Sequence, residues 1–337
     1  MKKFCYLLAI WNLNIEILSS PDLFSAIYRI GDLPNIGYKT TMVPEYEQII
    51  FEANPILRMP LYNKIQRRLQ NGKKHASAAY LSFKPQLRMF ADNSKPVKTP
   101  SYRISVLGFQ HLIILPQLNI SQSLRYQSLA FSLESGHYSN GQFGCTFHKN
   151  HPDGSQECNN EYTLINDHSN LTELLNRETG NFSTNYTEFI SSYRLYLKTD
   201  DNIKPTSQLV LNVGLQVNHD NLLFLFDVGG YSDQDLQIMG RSKVLGELEF
   251  INSIPFWKKR FDRYSLKYNT EYITKIHPWI KPFRFEFTGT IFLKNNLGFF
   301  ISLIKGHDNY NFRLVDSGTQ FFTGIKFDIF PPIEITN

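Results

Sequence analysis

The sequence predicts an all-β fold, and within that class an antiparallel transmembrane β-barrel. Three observations predict it. From about residue 77 onward, apolar and polar side chains alternate along many segments, which is the period of a β-strand. No apolar run approaches the ~18 residues of a membrane-spanning helix. The chain is 42% hydrophobic and only 19% charged, which excludes a disordered protein because disorder needs low hydrophobicity and high charge.

The first residues are interpreted as an atypical signal peptide over residues 1–26. Lys2 and Lys3 give a positive start, and residues 4–10 are apolar. The small residue Ala26 is a candidate for the end of this segment. Glu16 departs from the pattern, since a secretory signal is not expected to carry an acid so near its apolar core.

Residues 27–76 show no alternation and are interpreted as an N-terminal extension, with a short helix within residues 56–69. The barrel itself is expected over residues 77–330, followed by a tail at 331–337. The net charge of +5 does not change this interpretation, because Lys and Arg are scattered in short clusters such as Arg67-Arg68. A nucleic-acid partner is therefore not expected, since it would need a basic stripe.

The alternating segments predict about eleven strands, close to the even number that a membrane barrel needs. They are residues 81–89, 101–115, 123–140, 182–198, 209–217, 222–231, 241–251, 261–274, 283–288, 297–306 and 321–330. A soluble sandwich is the alternative. The barrel is favoured because many of these segments approach the 9–11 residues that cross a membrane at a tilt. Short and long connections also alternate; the long ones are 141–180, 231–240 and 306–317.

The polar faces of these strands carry charges of both signs, which are expected to fill a narrow barrel with ion pairs. The residues expected to point inward are Lys84, Arg88, Glu134, Glu188, Arg194, Arg284, Glu286, Lys326 and Asp328.

A histidine and a serine interrupt the apolar face of the segment 123–140. Leu133 and the apolar residues before it share that face, and alternation puts His137 and Ser139 on it as well. Polar groups facing lipid are costly unless they are used. A serine becomes a nucleophile when a histidine within reach accepts its proton. The alternative is that the two residues only end a strand.

The next predicted strand, 182–198, carries an amide on its apolar face. Asn185 shares the face of Phe189, and sequential strands usually lie side by side. An amide there can orient the imidazole of His137. Asn181 and Ser183 share the face and are weaker candidates, and a simple polar rim above the hydrocarbon is the alternative.

These segments resemble the outer-membrane phospholipase A family of Gram-negative bacteria. The family's His-x-Ser-Asn-Gly motif is matched by His137-Tyr138-Ser139-Asn140-Gly141. The segments 227–240 and 306–312 resemble the family's Asp-rich turn before a Met-Gly and the loop before its closing strand. The likeness covers about residues 80–330.

The resemblance implies a twelve-stranded barrel in the bacterial outer membrane that hydrolyses phospholipid acyl esters, requires calcium and is controlled by dimerisation. It implies Ser139 as nucleophile, His137 as base and Asn185 as the group that orients His137. The backbone N–H of Gly141 would donate to the oxyanion.

The chain departs from the family after the motif. Where the family has an Arg-Ser-Asp-Pro-like calcium loop, this sequence has Gln142-Phe143-Gly144-Cys145 and an insertion to about residue 180. Asp153 is the remaining candidate for a metal ligand. Cys145 and Cys158 are either two separate buried thiols or, in an oxidising compartment, a disulfide.

Two other functions remain open at this stage. A lipid A deacylase would use a similar His-x-Ser-Asn stretch with a Glu partner, but Glu188 is expected to face inward. A porin or structural barrel would not use the motif at all.

Overall fold

Long antiparallel strands make up most of the chain in the computed structural model of the protein. The structure describes residues 29–42, 48–91, 97, 99–120, 123–141, 145, 148–176, 180–199, 205–254, 260–294, 296–310 and 313–328. The strands are β1 Asn35–Thr41, β2 Ile49–Asn54, β3 Leu57–Asn63, β4 His75–Phe90, β5 Ser101–Ile120, β6 Ser123–Ser139, β7 Ser183–Thr199, β8 Pro205–His219, β9 Ser242–Ser253, β10 Phe261–Thr274, β11 Phe283–Leu293, β12 Leu297–His307 and β13 Ser317–Phe327. The helices are α1 Ile65–Gln70, α2 Gln156–Thr163, α3 Leu171–Leu174 and α4 Asp233–Met239, with a 3₁₀ turn at Arg313–Val315.

The sheet closes on itself. From β4 to β13 each strand pairs with the next one in sequence, and β1 then pairs with β13 along its whole length. β2 pairs with both β1 and β4, which joins the two ends of the sheet into a ring of twelve strands. β3 continues past β2 along β4 as a thirteenth strand. The predicted fold class, an antiparallel twelve-stranded barrel, is confirmed.

The barrel begins earlier than the sequence predicts. Strand β1 lies in the segment 27–76 that was expected to be an extension, and a strand occupies much of the range expected to be helical. The reason is that these strands are only 6 or 7 residues long, too short to show a clear alternation, and Pro55 separates β2 from β3. Within residues 56–69, only the last part, which belongs to α1, is helical. The segments 1–26 and 331–337 lie outside the described residues.

A second correction concerns residues 222–231, which were expected to form a strand. Strand β8 ends at His219 and β9 begins at Ser242, and the residues between them form a loop and helix α4. The short connection expected after residue 218 is therefore a long one.

The outer wall is apolar and the interior is polar, because side chains on a strand point alternately to its two faces. On β8, Leu211, Val213 and Leu215 are exposed on the outside, whereas Asn212 and Gln216 are buried inside. The same alternation on β11 leaves Phe283, Phe285 and Phe287 exposed. No helix among the described residues is long and apolar enough to span a membrane.

Ion pairs fill much of the interior, as the sequence predicts. Arg88 lies between Glu52 at 2.6 Å and Asp308 at 2.5 Å, and its side chain is only 1% exposed. Lys39 reaches Glu52 at 2.8 Å from the other side. An internal cavity of about 360 Å³ remains, and Lys84, Glu134, Glu188, Arg284 and Glu286 are among the residues that line it.

A small cap with its own apolar core covers the rim at which β6 ends and β7 begins. Among the described residues it combines Cys145, residues 148–176, helix α4, residues 275–282 and residues 313–316. The buried residues of this core are Cys145, Cys158, Ile165, Leu171, Leu175, Phe182, Tyr231, Ile238, Met239, Ile280 and Val315.

Candidate active site

Three polar side chains form one row across the outer wall, directly below the cap. His137 on β6 is paired with Asn185 on β7, and Asn185 is paired with His219 on β8. Neighbouring strands run antiparallel, so directly paired residues share a face. The row lies on the face that carries Leu133, Phe189 and Leu215 farther along the same strands. The structure thus brings His137 and Asn185 together on the outside of the barrel.

The amide of Asn185 is held in one orientation. Its Nδ2 donates to the backbone oxygens of Asp220 at 2.6 Å and Val228 at 2.7 Å. Both carbonyls only accept hydrogen bonds, so Oδ1 must be the atom that faces His137 Nδ1, at 3.0 Å. The hydrogen of His137 therefore lies on Nδ1, and Nε2 is left as a proton acceptor. Asn185 is fully buried, which keeps water from competing for these bonds.

Ser139 lies two residues beyond His137 on the same face, at the end of β6, opposite Ser183 on β7. His137 and Ser139 are both half-buried. Among the described residues neither Ser139 Oγ nor His137 Nε2 has a hydrogen-bond partner. This leaves both atoms available, and a catalytic hydrogen bond of this type is often absent or long before substrate binds.

Asn140 fixes the chain immediately after Ser139. It is buried, its Nδ2 donates to the backbone oxygen of Gly180, and its Oδ1 accepts from the N–H of Phe182 at 3.2 Å. The chain can then turn at Gly141, whose φ of +71° lies in the left-handed region. The motif therefore contains a His and a Ser on the outer face, a structural amide and a turn glycine.

The loop that orients Asn185 also packs against His137. A Cβ at Gly229 would lie 3.4 Å from His137 Cε1 and 2.8 Å from Ser183 Oγ, and a Cβ at Gly230 would lie 2.0 Å from the backbone oxygen of Asp220. Ser183 Oγ donates to the backbone oxygen of Gly229 at 3.1 Å. Only glycine fits at these positions. The pair Gly229-Gly230 is the sequence feature that indicates this close approach of the loop to the barrel wall.

A second polar cluster, which the sequence did not reveal, lies beside the first on the same face. His219 Nδ1 donates to the backbone oxygen of Asn221 at 2.7 Å, so its Nε2 accepts from Thr187 Oγ1 at 3.1 Å. Thr187 Oγ1 in turn lies 2.9 Å from Ser135 Oγ. The His219 ring stacks on Phe224 with the ring centroids 4.1 Å apart.

Glu188 faces the barrel interior, as expected. Its carboxylate lies 3.7 Å from Arg103, and it lines the internal cavity. It is therefore on the opposite side of the wall from His137 and cannot serve as the acidic partner that a lipid A deacylase would need. Ion pairs such as this one project into the barrel interior, which a porin would keep as a water-filled channel.

The segment after the motif is held by a disulfide. Cys145 and Cys158 are bonded, with their Cα atoms 5.8 Å apart, and both are buried in the cap core. Tyr162 donates a hydrogen bond to Asp235 and so connects α2 to α4. Burial and the charge of Asp235 raise the pKa of Tyr162, which stays a neutral donor. Burial likewise raises the pKa of Tyr231 well above its usual range.

The described residues do not fit a calcium site. Calcium takes six to eight oxygen ligands, several of them usually carboxylates. No group of three or more Asp, Glu, His or Cys side chains that could hold a metal ion occurs in the described part of the chain. Asp153 is an exposed turn residue, and residues 142–144 lie outside the described part.

Comparisons with known proteins add fold-level similarity. No family model matches the sequence, and no curated protein matches it. Outer membrane phospholipase A from Escherichia coli superposes with a TM-score of 0.48 and 11% identity, over 88% of this chain and 97% of that chain. The calcium-bound dimer of the Salmonella typhi outer membrane phospholipase gives 0.49 and 12%, over 89% of this chain and 92% of that chain. An active-site mutant of the Escherichia coli protein gives 0.48 and 11%, over 94% and 96%.

Proposed function

We propose that the chain is an outer-membrane phospholipase that hydrolyses phospholipid acyl esters at Ser139, His137 and Asn185. The observation that carries the proposal is the 3.0 Å hydrogen bond between His137 Nδ1 and Asn185 Oδ1 on the outer wall. Two backbone carbonyls orient the amide, so the imidazole has the tautomer that a general base needs. A merely structural His and Ser at a strand end would not need this arrangement.

The reaction begins with Ser139 Oγ attacking the ester carbonyl carbon while His137 Nε2 takes its proton. The tetrahedral intermediate collapses when His137 gives that proton to the departing glycerol oxygen, which leaves the acyl group on Ser139. Water, deprotonated by His137 Nε2, then attacks the acyl carbonyl carbon. As the bond between that carbon and Ser139 Oγ breaks, His137 returns the proton to Ser139 Oγ and the fatty acid leaves. Asn185 Oδ1 accepts from Nδ1 throughout and stabilises the imidazolium.

The negative oxygen of the intermediate needs a donor. The N–H of Gly141 is the group proposed for this role, because it follows Ser139 closely on a turn that projects from the end of β6. Removing one such donor typically costs about 10²–10³ in kcat.

An outer-wall site suits a substrate that is itself part of the membrane. A phospholipid reaches Ser139 by lateral diffusion, and its acyl chains remain in contact with lipid and with the apolar strand faces. The membrane location, the phospholipid substrate and a homodimeric assembly complete the proposal and rest on the family resemblance.

The calcium dependence that the family resemblance implies is measured by comparing hydrolysis in calcium and in chelator, because the described carboxylates do not cluster around Ser139. When bound, a calcium ion at an oxyanion would supply positive charge there. Every step above uses the side chains and backbone of this chain alone.

The proposal is tested by fatty-acid release from phospholipid micelles with refolded protein, in calcium and in chelator. Ser139→Ala and His137→Ala are expected to abolish detectable turnover, since general base catalysis alone contributes about 10²–10⁴ in rate. Ser191→Ala is the matched control, because Ser191 also faces outward but lies farther down β7. Asn185→Ala is expected to cost less than either catalytic substitution.

A serine-reactive sulfonyl fluoride provides an independent readout. It is expected to label Ser139 in the folded parent protein and to leave the Ser139→Ala protein unlabelled. Release of fatty acid by the folded Ser139→Ala protein at nearly the parent rate would contradict the proposal and favour a structural barrel.

A further inference from the structure

The loop between β8 and α4 carries an exposed apolar tip beside the proposed active site. Phe224 is 62% exposed, Leu225 78%, Phe226 42% and Val228 50%. Large apolar side chains grouped in this way indicate an interaction surface. This tip comprises residues 222–228.

The tip has a fixed shape. Leu222 and Phe226 exchange backbone hydrogen bonds of 2.8 and 3.0 Å across a tight turn. Leu223 and Phe224 have φ angles of +54° and +60°, a left-handed conformation that is unfavourable for these residue types. Such a backbone persists only where its surroundings enforce it. The apolar exposure is therefore a built feature of the loop.

The loop is folded back against the outer wall. His219 points outward from β8, and Phe224 stacks on it at 4.1 Å. The backbone oxygens at both ends of the loop, on Asp220 and Val228, reach the outward-facing Asn185 on β7. The loop is thus anchored on the outer wall at His219 and Asn185, on the face that carries Phe189 and Leu215 farther along β7 and β8.

We propose that this tip binds an acyl chain of the phospholipid whose ester is held at Ser139. The inference rests on the proposed function. It commits to an acyl chain because the tip is apolar and exposed, stands on the outer wall whose strand faces are apolar, and is joined to the catalytic row through Asn185. The same loop therefore orients the catalytic amide and forms one wall of the substrate site. His219 is a positioning residue, which holds Phe224 and the carbonyl of Asn221.

The first test places a reporter at the tip. The full-length Leu225→Trp protein is refolded into phosphatidylcholine vesicles with or without bromine atoms on the acyl chains, and the emission of the parent protein is subtracted. Strong quenching is expected. Leu164→Trp is the matched control, because Leu164 is also a well exposed leucine, at 67%, but lies in the cap at the end of α2. Quenching no greater at residue 225 than at residue 164 would overturn the inference.

The second test measures chain-length selectivity. Leu225→Asp is expected to lower the ratio of kcat/KM for a hexadecanoyl ester to that for a butyryl ester by about tenfold, on the scale of one or two methylene groups in an apolar pocket. Leu164→Asp is expected to change this ratio by less than about twofold. If Leu225→Asp does not fold, Leu225→Ser is judged by the same ratio. An unchanged ratio in a folded Leu225 variant overturns the inference.

The two tests separate this inference from the proposed function. A parent protein that hydrolyses neither ester contradicts the phospholipase proposal. The bromine quenching then still decides whether the tip lies among acyl chains, and absence of quenching overturns the inference whatever the activity.

Discussion

Asn185 has its two amide hydrogens committed to the backbone, so in the proposed mechanism an amide orients His137 where many hydrolases use a carboxylate. We predict that Asn185→Asp will be less active than the parent at neutral pH. A second carboxylate oxygen would face the carbonyls of Asp220 and Val228, which lie at 2.6 and 2.7 Å from the present Nδ2, and acceptors repel one another. The measurement is the rate of ester hydrolysis against pH. A rate equal to or above that of the parent at neutral pH would contradict the orienting role of the two carbonyls.

Gly230 allows the backbone carbonyl of Asp220 to lie where it accepts the hydrogen bond from Asn185 Nδ2. A Cβ at this position would lie 2.0 Å from the backbone oxygen of Asp220, so Gly230→Ala must displace one of the two carbonyls that hold Asn185. We predict a fall in kcat of roughly tenfold or more with little change in KM, since misplacement of a catalytic group by about 1 Å can cost about 10²-fold. Gly289→Ala is the control, because its Cβ would meet only Leu266 Cδ2 at 3.8 Å. Equal kcat values for the two variants would show that this carbonyl is not needed.

The sequence located two of the three side chains of the row, His137 and Asn185, but neither His219 nor the groups that hold Asn185. His137 and Asn185 follow from strand parity, because a period of two leaves no choice of face once the apolar residues are assigned. The partners of Asn185 are backbone carbonyls at Asp220 and Val228. Any residue supplies a carbonyl, so no sequence pattern marks these partners, and only the paired glycines at 229 and 230 hint at a close approach.

At the level of elements, the loop after β8 shows why alternation fails at a membrane surface. Residues 222–226 are apolar at every position and were expected to begin a strand. In a soluble protein such a run is buried, whereas here the structure leaves its middle exposed on the outer wall. The short strands β1 to β3 were not predicted for the opposite reason. A proline break and inward charges leave these segments with too few apolar positions to show a period of two.

The cap is expected to depend on its disulfide more than the barrel does. Cys145 and Cys158 close a loop through α2, and both are buried in the cap core. For a loop of this length the chain-entropy model gives about 3 kcal/mol. We predict that Cys158→Ser exposes residues 145–176 to protease, while the barrel keeps its heat-modifiable migration on a gel.

The control for the cap prediction is the parent protein treated with a reductant, which should show the same cleavage. Cleavage of the parent in the oxidised state at the same rate as the variant would show that the disulfide does not secure the cap.

At the scale of the whole molecule, the interior is held together by charges that are far apart in sequence. Arg88 joins Glu52 near the start of the barrel to Asp308 near its end. We predict that Arg88→Ala lowers the free energy of unfolding by about 3–5 kcal/mol, because it removes the guanidinium that two buried carboxylates share. Urea unfolding in detergent micelles measures this change. Arg241→Ala is the control, since Arg241 is exposed, and an equally small loss in both variants would contradict the prediction.

The same interior decides whether the barrel conducts ions. The charges that line the cavity are arranged in pairs, such as Arg103 with Glu188 and Arg284 with Glu286, and this cavity has a volume of about 360 Å³. Paired charges that project into a twelve-stranded barrel narrow its interior compared with that of a larger porin. We therefore predict no stepwise conductance when the refolded protein is added to a planar lipid bilayer, under conditions in which a wide porin, added as a positive control, gives regular steps. Vesicle-reconstituted protein should hydrolyse lipid under the same salt conditions. Reproducible ohmic steps from the parent protein would show an open lumen and would favour the porin interpretation over the phospholipase proposal.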